Sequence, residues 1–530
     1  MTGGAGRQHG STAGAASALA ATALAFHSAW EASLLAGLGG LARRLASTAA
    51  VRSLVAAWDA SWPGRLSAAV WSPGRSRPVP GDGLALPGLA LLAALNAWAF
   101  NMAPWEAAGY AALALTLVVV LASPEGGLYA TLAVIPFVSD PAALVLVAVL
   151  VAATLTRRLA AADWRLGSVR PLPDLPLVLL GLVLVVATLT SVSLSGSLRY
   201  LVTWVLALGL YFSITATARG TEVLVRAAVA FGLSAALGGL HGLYQVVVNV
   251  PVQEGWIDSD LFPRVGTRIF SFWGNPNVFA LHLLLAGPLL AAGVWTARDR
   301  LSKGGVALGV IVSGLALALT LSRAGWVGLA VAILFIGLAR DRRIILAGFV
   351  AAALALVLSP EAVLSRVATL GQFSDPTAVH RFRIWEASAR MARDFWYAGL
   401  GLGWRAFAAV YPQYAIEGRV AFHAHSHYLE TLLELGILGF ALVHWLLARP
   451  VFWVLALGPA ARRPAGGAVL ISAAAAILGS LAFGVAEPIF YLPRPILMAW
   501  AVLGLAAAAR EDVIRPQAGA AVPDAEVGHA

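Results

Sequence analysis

The chain has no cysteine, and only 12% of its 530 residues carry charge. The first absence excludes disulfides and thiolate metal sites and leaves the redox compartment unread. The second, beside 60% hydrophobic residues and a mean hydropathy of +0.81, excludes a soluble globular domain, which has no means of hiding so much apolar surface. The N-terminus lacks a compact apolar segment with a clear cleavage site: one arginine precedes an alanine-rich stretch, so a retained N-terminus is expected rather than a removed signal peptide. No internal repeat is evident. The formal charge of +10 invites an acidic partner, yet the arginines fall mostly in short loops between apolar runs, the pattern of cytoplasmic anchoring, and nucleic acid is not expected.

What is present is a series of apolar runs near the length needed to cross a bilayer. The expected fold is an all-α polytopic membrane protein of about 12 to 14 transmembrane helices. Residues 1–83 read as a cytoplasmic extension, partly disordered, with one surface helix near Ser17–Leu45. Residues 84–510 form the transmembrane domain with a long loop at 360–427, and residues 511–530 form a cytoplasmic tail. The first expected span covers 84–101. Basic loops at Arg157–Arg170, Arg219–Arg226, Arg298–Lys303, Arg340–Arg343 and Arg449–Arg463 fall on one side with both termini. By the excess of positive charge inside, that side is the cytoplasm, and the intervals 249–275 and 359–427 face outward.

Two arginines escape this explanation. Arg268 precedes a span in TRIFSFWGNPNVFALHLLL, and Arg323 lies between apolar runs in LTLSRAGWVGLAV. Charge so near hydrocarbon either snorkels to headgroups or faces a protein interior. Helices are expected to start at Asn277, Arg323 and Tyr428, all running from outside to inside, with caps at Asn275, Ser322 and Ser426. If these ends converge, their free N–H groups and two guanidiniums make a site for phosphate or diphosphate.

Just before the third start lie His423, His425 and His427 in HAHSH. In an extended chain they share one face, which leaves metal ligation, helix capping and proton transfer all open. Asp258-Ser259-Asp260 has the Asp-x-Asp form of metal-dependent glycosyltransferases, a weak match at three residues. The long loop is expected to hold a helix near Ala378–Phe395, a tight glycine turn GLGLGW, and a segment bearing Tyr411 and Tyr414. No strand precedes the glycines, so they are not a dinucleotide fingerprint. The loop's aromatic residues suit stacking on sugars or an interfacial belt.

The ordered set FSFWGNPNVFA, LTLSRAGWVGLAV, HRFRIWEASARMARDFWYAGLGLGWRAFAAVYPQY and HAHSHYLETLLELGILG resembles the O-antigen ligase and O-antigen polymerase superfamily over roughly residues 270–439. The resemblance implies a glycosyltransferase C-like membrane enzyme that moves a glycan from a polyprenyl diphosphate to an acceptor hydroxyl on the extracytoplasmic face. The acceptor is a lipid core, a protein or another glycan, and no cofactor or obligatory metal is implied. The enzyme then sits in the inner (plasma) membrane.

Within that resemblance His425, followed by Ser426, matches the catalytic histidine, and His423 and His427 are neighbours able to substitute for it. Arg323 and Arg268 match diphosphate-binding arginines, with Arg264 the competitor of Arg268. Arg381 matches an arginine opening the loop helix, either pairing with Glu386 or positioning the loop, and Glu430 belongs to the Leu-Glu helix start. Ligase and polymerase stay open, with the intact histidine motif favouring a ligase. The rivals are a multi-spanning transporter and an inactive scaffold.

Overall fold

Lipid offers the backbone no hydrogen-bond partners, so long apolar runs satisfy their peptide groups internally as helices. The computed structural model describes residues 106–160, 175–251, 267–358, 364, 376–418, 420–462 and 465–519, and among these there is no strand. The chain divides into two compact units, Met1–Gly74 with Leu155–Leu175, and Arg75–Thr154 with Pro176–Ala530. The first lies almost wholly outside the described residues, as do the expected extension 1–83, its surface helix and the span 84–101. The second unit carries the site.

Its helices are α1 (Glu106–Ala122), α2 (Pro124–Val134), α3 (Asp140–Ala160), α4 (Leu175–Leu189), α5 (Leu194–Thr217), α6 (Thr221–Val247), α7 (Pro276–Thr296) and α8 (Arg300–Leu319). There follow α9 (Arg323–Ala339), α10 (Arg343–Leu358), α11 (Pro376–Phe395), α12 (Trp404–Val410), α13 (His427–Leu457), α14 (Ala465–Phe483) and α15 (Pro493–Gly519). Among the described residues seven helices are long and apolar enough to cross a membrane: α3, α5, α6, α7, α8, α13 and α14. The starts follow local chemistry. Asn275 accepts from the N–H groups of Asn277 and Val278 ahead of Pro276, and Ser322 accepts from Gly325. Ser426 takes the cap position of α13 without a side-chain bond, and the N–H of His427 donates to the Gly484 carbonyl at 2.7 Å.

Two hydrophobic clusters form. The larger is the helical bundle, in which the alanine- and glycine-rich α14 packs against α7, α9, α13 and α15. At one crossing a Cβ on Gly328 of α9 would stand 2.6 Å from the Gly479 carbonyl of α14, the close backbone approach that small residues permit in membranes. The smaller cluster is a cap made by α11, α12 and the start of α13, with Ile384, Met391, Leu400, Phe407, Tyr411 and Leu433 inside. Tyr414 donates to Asp394 at 2.5 Å, so both loop tyrosines serve the cap's own packing.

The expectation of one inward-running helix at the histidine motif is corrected. Gly436 has φ 64° and ψ −175°, which breaks α13. The chain folds back there: the rings of His427 and His444 are 5.1 Å apart. A continuous helix rising 1.5 Å per residue would hold them roughly 25 Å apart. One limb, 427–435, therefore joins the bundle to the cap, and the other, 437–457, is the span.

A break in a helix orphans its peptide groups, and the glycine turn satisfies them. Leu400 and Gly401 donate to the carbonyls of Leu433 and Glu434 at 2.6 and 3.3 Å, while Ile437 donates to the Trp396 carbonyl at 2.7 Å. Gly403 donates to the Glu434 carboxylate at 2.8 Å. The tight turn expected from GLGLGW is present, and it is the partner of the break. Gly399 has φ 76°, and a Cβ there would lie 2.6 Å from the Glu434 carbonyl oxygen. Gly399→Ala is therefore expected to destabilise the protein by about 1 to 3 kcal/mol. Gly304→Ala, in the first turns of α8 with nothing within 4 Å of its Cβ, is expected to be neutral or mildly stabilising. Thermal unfolding in detergent compares the two.

Candidate active site

The start of α7 builds the first wall. Asn275 is spent on capping, which leaves the side chain of Asn277 free to bridge two charges. Its Oδ1 accepts from Arg268 Nη2 at 2.9 Å, and its Nδ2 donates to Glu487 Oε1 at 2.5 Å. Arg268 is buried, with 6% of its surface exposed, and its Nε donates to the Thr320 carbonyl at the end of α8 at 2.7 Å. Arg323 opens α9 three residues later and is half-buried.

Glu487 lies in the connection between α14 and α15. It is buried, and its Oε1 accepts from both Asn277 and Arg381 of α11. Its Oε2 stands 3.7 Å from His425 Nδ1. Burial pushes this carboxyl up, but Arg381 first, and then His425 and His423, outweigh it and hold it down at about 2. Glu487 is therefore an anion at any physiological pH. Arg381 pairs with Glu487 and not with Glu386, which is taken by Arg383 and Arg390.

His425 has φ 48°, a left-handed conformation uncommon outside glycine. Its carbonyl accepts from Trp385 Nε1 of α11 at 2.9 Å, and its N–H donates to His423 Nδ1 at 3.2 Å. The side chain is 26% exposed while Nδ1 itself is buried, so the open part of the ring is the edge away from Glu487.

The left-handed turn dismantles the shared face expected for three histidines. The rings of His423 and His425 approach to 4.0 Å, while His427 enters the bundle, fully buried, 4.8 Å from Phe490. Among the described residues no three His, Asp or Glu side chains stand together as a metal-binding set. His423 is pushed down to about 3 by burial and then by His425, and is neutral in the physiological range. Glu430 is buried and accepts from the Ala424 N–H at 2.5 Å, holding the loop from below. Arg264 and Asp258-Ser259-Asp260 lie outside the described residues.

Sequence reading placed Arg268, Arg323, Arg381 and His425 as separate candidates. The structure joins Arg268, Arg381 and His425 through Asn277 and Glu487, and Arg323 begins α9 three residues after the Thr320 carbonyl that holds Arg268. Glu487 was missed, although it carries the signal that singled out Arg323: a charge with almost no loop around it, in the turn GVAEPIF between two apolar runs. Arg494, in the same turn, is a staple. It donates to Asp140 at 2.7 Å and to the Pro136 carbonyl at 3.0 Å, and lies 4.2 Å over the Trp273 ring.

Residues 308–444 match the family model of the O-antigen ligases. The match runs from within α8, through α9 to α12, to the second limb of α13. It contains Arg323, Arg381 and His425, and it bears out the superfamily resemblance read from the four motifs. Arg268, Asn277 and Glu487 lie outside the matched segment and meet it only in space. None of the curated proteins matches the chain.

The Glu487 carboxyl, lowered from its ordinary 4.5 to about 2, contributes stability that is fully present above about 4.5 and is lost as pH falls through the folded value. Glu487→Gln is expected to cost on the order of 3 kcal/mol at pH 7. The gap from the parent protein should close as pH falls from about 4.5 toward 2 in thermal unfolding.

Proposed function

We propose that this protein is a membrane glycosyltransferase of the O-antigen ligase type, moving a glycan from a polyprenyl diphosphate to an acceptor hydroxyl on the extracytoplasmic face. The observation that carries the reading is Glu487. This one buried anion ties a histidine, Arg381 and, through Asn277, Arg268 into one site at the starts of two helices. The basic loops on the opposite side support the extracytoplasmic placement. That face holds no nucleotide sugars, so the donor must bring its own activation, which a diphosphate linkage supplies.

In this mechanism Arg323 and Arg268, with the N-termini of α9 and α7, hold the diphosphate. With the Nδ1 proton turned toward Glu487, His425 presents an unprotonated Nε2 at its open edge. That nitrogen takes the proton of the acceptor hydroxyl as its oxygen bonds to the anomeric carbon. The anomeric carbon–phosphate oxygen bond breaks, and the electron pair leaves on a diphosphate neutralised by the arginines. Glu487 orients the imidazole and stabilises the imidazolium that forms, the part a carboxylate plays behind a catalytic histidine. At 3.7 Å the two groups stand at ion-pair distance, and the mechanism requires the contact to shorten to a hydrogen bond.

His425→Ala and Arg323→Ala are each expected to reduce transfer by about 100-fold or more while the protein still inserts. The assay is transfer from extracted polyprenyl-diphosphate glycan in reconstituted vesicles, and full activity in both variants overturns the assignment. In a deletion strain, mass analysis of surface polysaccharide separates unligated full-length chains, expected for a ligase, from single repeats, expected for a polymerase.

A further inference from the structure

We propose that His423 is a positioning residue for His425: its Nδ1 accepts the His425 N–H and holds the catalytic residue in its left-handed turn. The inference rests on the function proposed above and concerns the residue that stood as the alternative base.

A non-glycine residue at φ 48° keeps that conformation only where its surroundings hold it. Four bonds do so here. Trp385 donates to the His425 carbonyl from the cap, Glu430 holds the preceding N–H, and Gly484 holds the N–H of His427. The fourth, at 3.2 Å, is from the N–H of His425 itself to His423 Nδ1. A nitrogen that accepts from a backbone N–H has its lone pair occupied, so the proton of the neutral ring sits on Nε2. His423 therefore offers no free lone pair to an acceptor hydroxyl.

Two rings pack against it: the His423 centroid lies 4.0 Å from that of His425 and 4.3 Å from that of Tyr491. Tyr491 is fixed in turn, since its carbonyl accepts from Tyr200 of α5 at 2.7 Å. Burial keeps the ring neutral, as an acceptor at Nδ1 must be. The chain His425–His423–Tyr491–Tyr200 thus ties the base to a bundle helix, independently of the cap bond from Trp385.

Asparagine and glutamine separate this role from proton transfer. The Oδ1 of asparagine can stand where Nδ1 stands in histidine, whereas the Oε1 of glutamine stands near Nε2. His423→Asn is expected to keep kcat within about threefold of the parent, while His423→Gln and His423→Ala lose about tenfold, the worth of one hydrogen bond at a strained residue. KM for the extracted polyprenyl-diphosphate glycan should stay unchanged in all three.

Monodisperse elution and thermal unfolding in detergent accompany the kinetics, with Asn expected near the parent and Gln and Ala below it. The proposal is overturned if Asn is as impaired as Ala, or if Gln outperforms Asn, which would assign the work to Nε2. Full activity in His425→Ala would instead overturn the catalytic reading, and the order of unfolding temperatures would still report on the Nδ1 bond.

Discussion

The site depends on one buried negative charge. A carboxylate taken out of water costs several kcal/mol unless it is paired and hydrogen-bonded, and Glu487 meets that condition only with partners from three separated parts of the chain. Asn277 comes from the start of α7, Arg381 from the cap helix α11, and His425 from the loop before α13. The same requirement that stabilises Glu487 therefore assembles the site. Each partner is drawn to a position that its own helix does not dictate.

A second constraint comes from the membrane. Irregular backbone beside a span is tolerated only where protein satisfies it, and the fold-back at Gly436, at the head of the span 437–457, would otherwise leave orphaned carbonyls. The glycine turn supplies their donors and is itself tied to the α4–α5 connection and the start of α5: the Val192 N–H donates to the Leu400 carbonyl at 3.0 Å and the Ser197 hydroxyl to that of Leu402 at 2.9 Å. Cap and bundle are thus joined by main-chain hydrogen bonds rather than by apolar contact alone. The limb this creates, 427–435, carries the His425 loop at its foot, with Glu430 of that limb accepting from the Ala424 N–H.

The electrostatic balance suits a diphosphate. Arg268 and Arg381 bring two positive charges, and Glu487 removes one, so the joined groups keep a net positive charge beside the start of α7. Glu487 nevertheless stands on the histidine side, where its charge would favour the imidazolium of the proposed mechanism.

Much of this was determined by sequence alone. Asn275 and Ser322 cap their helices as their residue types and neighbours dictate, and the described spans lie where apolar runs lie, because capping and lipid burial are local properties. Four motifs named the superfamily, and the matched segment contains three of the four. What only tertiary structure decided is pairing. Arg381 passes over Glu386 because five residues along a helix point to different faces, while Arg383 and Arg390, three before and four after Glu386, share its face. The fold-back at Gly436 depends on a glycine turn more than thirty residues earlier, and Glu487 reaches His425 from the far end of the next span. Burial gives such long-range contacts their energy, and burial is a property of the assembled bundle, absent from any stretch of the chain read by itself.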